Sequence, residues 1–185
     1  MHSDIDIIES LKKGGRNAQE EVVARYMLQI RNFIAAIVQD TRDAEELTQD
    51  TFLALFQSAS RYDITKSTLA ALIYRIAYNK AQNFLRRNKI AVSPYDEKSV
   101  ESVAAYDYLT DDESREAKET REQELAQLVN TLSSQDQTII MLYYYDNRKV
   151  SDIAFIMNTT SRAIYNRLDR IRNKLRVQLM SDRKK

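Results

Sequence analysis

Cysteine and tryptophan are absent from the 185 residues, histidine occurs once, at position 2, proline once, at position 94, and glycine twice. Without thiols the chain can form neither disulfides nor thiolate metal sites. A single histidine beside the start leaves no histidine pair for acid–base catalysis or metal ligation. Two glycines and one proline supply little of the turn chemistry that β-rich folds require. No apolar run approaches the roughly 20 residues that cross a bilayer, and the mean hydropathy is −0.54. The first ten residues carry acids where a secretory leader has a basic start and an apolar stretch, so no signal peptide is expected. What is present is 43% hydrophobic residues, enough apolar surface for a core, and 30% charged residues. These features predict an all-α, soluble, cytoplasmic protein of one or two domains, with no membrane insertion, cofactor or metal.

The net charge of +1 conceals a strong segregation. Residues 1–92 carry 13 basic and 11 acidic side chains, residues 93–124 carry 4 and 11, and residues 125–185 carry 11 and 5. A −7 segment therefore separates a nearly balanced N-terminal part from a +6 C-terminal part. Segregation of this kind, rather than total charge, points to a polyanionic partner.

Apolar spacing predicts four helices in the first part. Asp4–Lys12 places Ile5, Ile8 and Leu11 on one stripe and stops at Gly14-Gly15. Asn17 is the expected cap of a long second helix, with Val22, Val23, Tyr26, Met27, Ile30, Phe33, Ile34, Ile37 and Val38 inward. A third helix is expected from Asp43, where Asp43-x-x-Glu46 has the form of a capping box. It buries Leu47, Phe52, Leu55, Phe56 and Ala59. A polar loop, Ser60–Ser67, leads to a fourth helix over roughly Thr68–Arg87. The third helix shows acids and amides on one side, while the fourth carries Arg75, Lys80, Arg86 and Arg87. Adjacent acidic and basic–aromatic faces suggest a bridge between a basic partner and a polyanion. Residues 93–124 hold Pro94 and the run Asp111-Asp112-Glu113 and lack a sustained apolar period, which reads as an acidic linker. Helix is expected to resume near Arg115, turning Leu125, Leu128, Val129 and Leu132 inward.

The last sixty residues read as three helices. Ser134 is the expected cap of the first, with Ile139, Ile140, Leu142 and Tyr143 apolar. Asp146–Lys149 is a turn, and Ser151–Met157 is a short helix with Ile153, Ala154 and Ile156 or Met157 inward. Asn158-Thr159-Thr160 is a break. A longer helix from Ser161 carries Ile164, Leu168, Ile171 and Leu175 at spacings of four, three and four. Helix, tight turn and second helix form the helix-turn-helix layout. In that layout the first residues of the second helix reach base edges. Outward Ser161, Arg162, Tyr165, Asn166 and Arg170, flanked by Arg167 and Lys174, have the chemistry for it. Arg pairs with guanine and Asn with adenine, each discriminating by about 1–3 kcal/mol, and cations further along meet phosphates.

Two runs carry a family resemblance. Asp43-Ala44-Glu45-Glu46-Leu47-Thr48-Gln49-Asp50-Thr51-Phe52 and, at the right separation, Tyr74-Arg75-Ile76-Ala77-Tyr78-Asn79 are similar to the landmarks of bacterial RNA polymerase sigma factors. The match is to the sigma-70 superfamily, of the small extracytoplasmic-function (ECF) type. Arg86-Arg87, Leu132-Ser133-Ser134-Gln135 and Ile153-Ala154 add weaker matches. The resemblance implies two helical domains: region 2 at residues 1–92 and region 4 at residues 125–185, joined by the linker 93–124. It implies that Asp43, Glu46, Gln49, Asp50 and Leu53 dock on the β′ clamp helices of core RNA polymerase, carboxylates accepting charge-assisted bonds. It implies that Arg61, Tyr62, Lys66, Ser67, Arg75, Tyr78, Asn79 and Lys80 contact the −10 element, whose single-stranded bases need stacking surfaces and backbone cations. It implies that Arg148 and Lys149 join the recognition helix in contacting the −35 element. The polymerase β flap, promoter DNA and an anti-sigma factor are the implied partners, and the linker would enter the basic polymerase channels or serve as a spacer. Leu69, Ala70 and Leu72 stand where the family often has Phe, Arg and Trp, which predicts weak intrinsic melting and a narrow choice of −10 sequence. The alternative is a stand-alone helix-turn-helix regulator with an N-terminal dimerisation module, for which the Asp43–Phe56 face has no use. No enzyme is expected: there is no glycine-rich phosphate loop and no carboxylate pair in an evident pocket.

Overall fold

The computed structural model describes residues 3–63, 67–91 and 127–182, and no strand occurs among them. The expected linker, 93–124, lies wholly outside these residues, as do Lys66, Leu125 and the helical start near Arg115.

Helix α1 spans Asp4–Lys12, and Ser3 caps it through a reciprocal bond pair with Asp6. It buries Ile7, Ile8 and Leu11, while Ile5 is 60% exposed, against the expected stripe. Gly14 ends the helix at φ 73°, and a Cβ on Gly15 would collide with Ser10 Oγ. Helix α2, Arg16–Val38, starts from Gly15 with no side-chain cap. The expected cap Asn17 lies one residue inside, because the glycine turn delivers the chain directly into the helix. Val22, Tyr26, Ile30, Phe33, Ile34 and Ile37 are buried and Met27 is exposed. Arg25 fastens α2 to α1, at 3.3 Å from Asp4 and 2.8 Å from Glu21.

Helix α3, Thr41–Ser58, begins two residues before the expected Asp43. Gln39 takes a left-handed φ of 60°, and the Asp40 carboxylate accepts from the N–H groups of Arg42 and Asp43. Asp43 is thereby a first-turn acid rather than the cap. Phe52, Leu55 and Ala59 are buried as expected. Thr48 and Thr51 are buried as well, each hydroxyl donating to the carbonyl four residues back at 2.6 and 2.7 Å. A 3-10 turn, Ala59–Arg61, follows. Helix α4, Leu69–Ala91, starts beside Thr68, whose Oγ1 accepts from Ala71 N–H at 3.1 Å. Helices α2, α3 and α4 pack on one another, and Tyr74 of α4 meets Phe33 of α2 edge to face at 4.9 Å.

Residues 127–130 are helical, with Leu128 and Val129 half-buried, and Leu132 beyond them is buried. Helix α5, Ser134–Ile140, is capped by Ser133, which accepts from Asp136 N–H; Ser134 is its first residue. A π-helical turn, Met141–Tyr145, continues it. Helix α6, Val150–Ile156, and helix α7, Ser161–Asp182, complete the described residues. Asn147 and Asn158 take left-handed φ values of 49° and 53° at the two turns, as asparagine tolerates. Ile164, Leu168 and Ile171 of α7 are buried as the spacing predicts. Helix α4 also packs against α6, so the buried apolar residues of both halves form one continuous cluster.

Candidate polymerase-docking and nucleic-acid surfaces

Helix α3 separates two kinds of residue. Ala44, Thr48, Thr51, Phe52 and Leu55 face the interior, while Glu46, Gln49, Asp50 and Leu53 are exposed and Asp43 is half-buried. The five expected docking residues therefore share the outer side of one helix. Leu53 is 54% exposed among polar neighbours. Asp50 Oδ2 lies 3.1 Å from Lys80 Nζ on α4, so this face touches a residue expected to meet DNA.

Between α3 and α4 the chain is held by Tyr62. Its hydroxyl donates to the Ser67 carbonyl at 2.5 Å and lies 2.7 Å from Ser67 Oγ. Burial, the leading cause, raises the Tyr62 hydroxyl above its ordinary value, opposed by the Ser67 bond. The hydroxyl thus ties Tyr62 to Ser67, and Arg61 beside Tyr62 is exposed. On α4, Asn79 is exposed, Arg75 and Lys80 are half-buried, and Tyr78 is only 8% exposed. Tyr78 offers no open ring to a base in this arrangement.

In the C-terminal part, Thr160 caps α7 by accepting from Ala163 N–H at 3.2 Å. Ser161, Arg162, Tyr165, Asn166, Arg170 and Lys174 are exposed along α7. Tyr165, 57% exposed, is an unburied aromatic next to Asn166 on the first turns. Arg167 is tied to Asp136 of α5 at 2.7 Å, and Lys174 Nζ donates to the Thr131 carbonyl at 3.2 Å. Lys149 is exposed at the start of α6, but Arg148 is turned inward.

Arg148 and Arg75 each reach a ring across the seam between the two parts. The Arg148 guanidinium lies 4.5 Å from the Tyr74 ring centroid, and that of Arg75 lies 4.4 Å from the Phe155 centroid. Arg75 Nη2 also reaches Asn158 Oδ1 at 3.4 Å. A cavity of about 260 Å³ opens beside Tyr78, Gln135, Asn158 and Arg167. Burial pushes the Tyr74 hydroxyl well up, reinforced by Asp146 and opposed by Arg148. The hydroxyl is within electrostatic reach of both groups, yet neither it nor Arg148 Nε makes a hydrogen bond of ordinary geometry. Buried polar atoms without partners cost about 1–3 kcal/mol each. Burial likewise raises the Asp146 carboxyl, against the favourable influence of Tyr74 and Arg148. Phe155, Asn158 and Asp136 escaped the sequence reading. The break at Asn158 marked the turn but gave no sign that its side chain meets Arg75.

Among the described residues no group of three or more His, Cys, Asp or Glu side chains is placed to hold a metal, and no helix is long and apolar enough to cross a membrane.

Comparison with known proteins agrees with this architecture. Residues 22–90 match the family model "Sigma-70 region 2", and residues 122–175 match "Sigma-70, region 4". Together the two matches account for well over half of the chain. The chain belongs to the sigma-70 family of RNA polymerase sigma factors, as an ECF-type member. Among curated proteins it is similar to the RNA polymerase sigma-H factor of Pseudomonas aeruginosa, 24% identical over 93% of this chain and 91% of the relative. It is similar also to the ECF RNA polymerase sigma factor SigW of Bacillus subtilis, 25% identical over 93% and 94%. In fold it resembles CnrH, solved in complex with the cytosolic domain of CnrY, with a TM-score of 0.68 at 18% identity over 98% and 99% of the two chains. A second likeness in fold is to the sigma factor RpoE of Bartonella quintana, solved with the anti-sigma factor NepR, with a TM-score of 0.66 at 23% identity over 88% and 97%. Sigma factors are transcription initiation factors rather than enzymes.

Proposed function

We propose that this chain binds core RNA polymerase through the outer face of α3 and brings it to promoters in the cytoplasm. Region 2, residues 1–92, contacts the −10 element, and region 4, residues 125–185, contacts the −35 element, with residues 93–124 as the acidic connection. The observation that carries this reading is the α3 face. Glu46, Gln49, Asp50 and Leu53 lie exposed in a helix that turns its other large apolar residues wholly or partly inward. Carboxylates around one exposed leucine suit a basic helical partner such as the β′ clamp helices, and a leucine at the centre of such a patch adds apolar contact. Arg61, Ser67, Asn79 and Lys80 supply cations and polar groups for single-stranded −10 DNA. Ser161, Arg162, Tyr165, Asn166 and Arg170 on α7 supply them for the −35 duplex, with Lys149 and Lys174 on phosphates. An anti-sigma factor would control the protein by covering these surfaces, and a β flap contact through region 4 completes the docking.

The test is equilibrium binding of the fluorescently labelled chain to purified core RNA polymerase. Glu46→Lys with Leu53→Glu should weaken binding at least about tenfold, about 1.4 kcal/mol, because both positions are exposed and the fold should be unchanged. Equal affinity in the variant, or no binding by the parent chain, would refute the reading. Promoter binding without polymerase in that case would favour a stand-alone helix-turn-helix regulator.

A further inference from the structure

Among the residues of α7 proposed to meet DNA stands one carboxylate. Asp169 follows Arg162, Tyr165 and Asn166 by seven, four and three residues, so it shares their outer face. Its side chain is 69% exposed. Ser161 to Asp169 spans about 12 Å at 1.5 Å per residue, close to the width of the major groove of B-DNA. A carboxylate on such a face is repelled by the phosphates around it and lowers affinity for DNA of any sequence. The carboxylate is also held in place. Arg172 Nη1 donates to Asp169 Oδ1 at 3.2 Å, and Arg172 Nε donates to Tyr144 Oη at 2.9 Å. The guanidinium lies 5.8 Å from the Tyr143 ring centroid, and Tyr143 meets Tyr144 edge to face at 4.9 Å. Both tyrosines belong to the π-helical turn Met141–Tyr145, so a second element of the domain fixes Arg172. An isolated surface ion pair leaves both side chains free to turn. The chain Tyr144–Arg172–Asp169 instead orients the carboxylate and balances part of its charge, and an ionised carboxylate has further lone pairs to offer.

We propose that Asp169 is a specificity-determining residue of the −35 contact: it accepts a hydrogen bond from the exocyclic amino group of one cytosine in the major groove, with Arg172 and Tyr144 as positioning residues. The inference rests on the DNA-binding reading of α7. Guanine N7 and O6 and thymine O4 are acceptors and repel a carboxylate, and adenine sets the N7 acceptor beside its N6 donor. Cytosine N4 is the donor that suits an acceptor-only side chain. Arg162, Asn166 and Arg170 supply donors on the same face, and Asp169 adds the one carboxylate, which discriminates against a wrong base more than it adds to affinity.

The test is selection of promoter duplexes randomised across the −35 element by the full-length chain bound to core RNA polymerase. The parent should enrich a motif containing one C·G pair for which Asp169→Ala lowers the preference at least about fivefold, with the other positions unchanged. N4-methylation of that cytosine keeps the base pair and puts a methyl where the major-groove N–H stood. It should weaken binding by the parent at least about fivefold and leave binding by the Asp169→Ala variant nearly unaltered. Tyr144→Phe keeps the ring and deletes the acceptor of Arg172 Nε. It should lower the same preference about two- to threefold, and add nothing in the D169A/Y144F double variant. Both side chains are exposed, and circular dichroism checks that the helices are retained. The same motif from the parent and from Asp169→Ala, or a change spread evenly over all positions, would overturn the proposal, since the ion pair would then serve the helix alone. A parent that binds polymerase but enriches no −35 motif would overturn it together with the DNA-binding reading of α7. If the chain does not bind polymerase, the proposed function fails, and the same selection with the chain alone decides on Asp169.

Discussion

At the scale of single side chains, one ion pair, Asp50 with Lys80, joins helix α3 to helix α4. The carboxylate belongs to the α3 face proposed for polymerase and the ammonium to the α4 face proposed for DNA, 3.1 Å apart. With both groups partly exposed, their coupling should be about 0.2–1 kcal/mol. A double-mutant cycle of Asp50→Ala and Lys80→Ala in urea unfolding checks this, and a coupling of zero would mean that the pair is held by neither side. Asp146 gives a prediction in pH. Burial raises its carboxyl above the ordinary 3.8. A carboxyl that holds its proton more tightly when folded adds stability below its ordinary value and loses it as the pH climbs through the raised one. Asp146→Asn removes that loss, so between about pH 4 and about pH 7 the variant should gain more stability, or lose less, than the parent. Paired urea midpoints at the two pH values measure it, and an identical pH difference in both proteins would contradict the assignment.

The helices themselves followed from apolar spacing, but their first residues did not. Periodicity reports which positions are buried, and a helix can be extended by a residue or two without altering that pattern. Where a helix starts depends on the turn that delivers it. Gly14-Gly15 hands the chain into α2 before Asn17, and the left-handed Gln39 places Asp40 rather than Asp43 under the open N–H groups of α3. The distinction has a measurable consequence. Asp40→Ala should destabilise the protein by about 1 kcal/mol through loss of the cap, and Asp43→Ala by clearly less. Thermal or urea unfolding of the two variants compares them directly, and a larger effect at Asp43 would restore the original capping box. Thr48 and Thr51 show a second limit: a hydroxyl satisfied by the carbonyl four residues back is free to be buried, yet threonine in sequence reads as a surface residue. Ile5 and Ile7 show a third, since isoleucines two positions apart fit a short helix in either rotation, and packing on α2 buries Ile7.

Across the whole molecule, the family was readable from two landmark runs in order, and the all-α architecture from composition and apolar spacing. The seam was not readable. Arg75, Tyr78 and Arg148 look like nucleic-acid residues by type, and nothing local in the sequence pairs Arg75 with Phe155, 80 positions away, or Arg148 with Tyr74. That pairing arises only when α4 and α6 pack. By the proposed function, this chain gives core RNA polymerase its promoter choice. Run-off transcription with purified core polymerase on a promoter library tests it most directly. Discrete transcripts that require this chain, from templates sharing a −35 and a −10 element, are the expected result; a transcript pattern identical with and without the chain would contradict it.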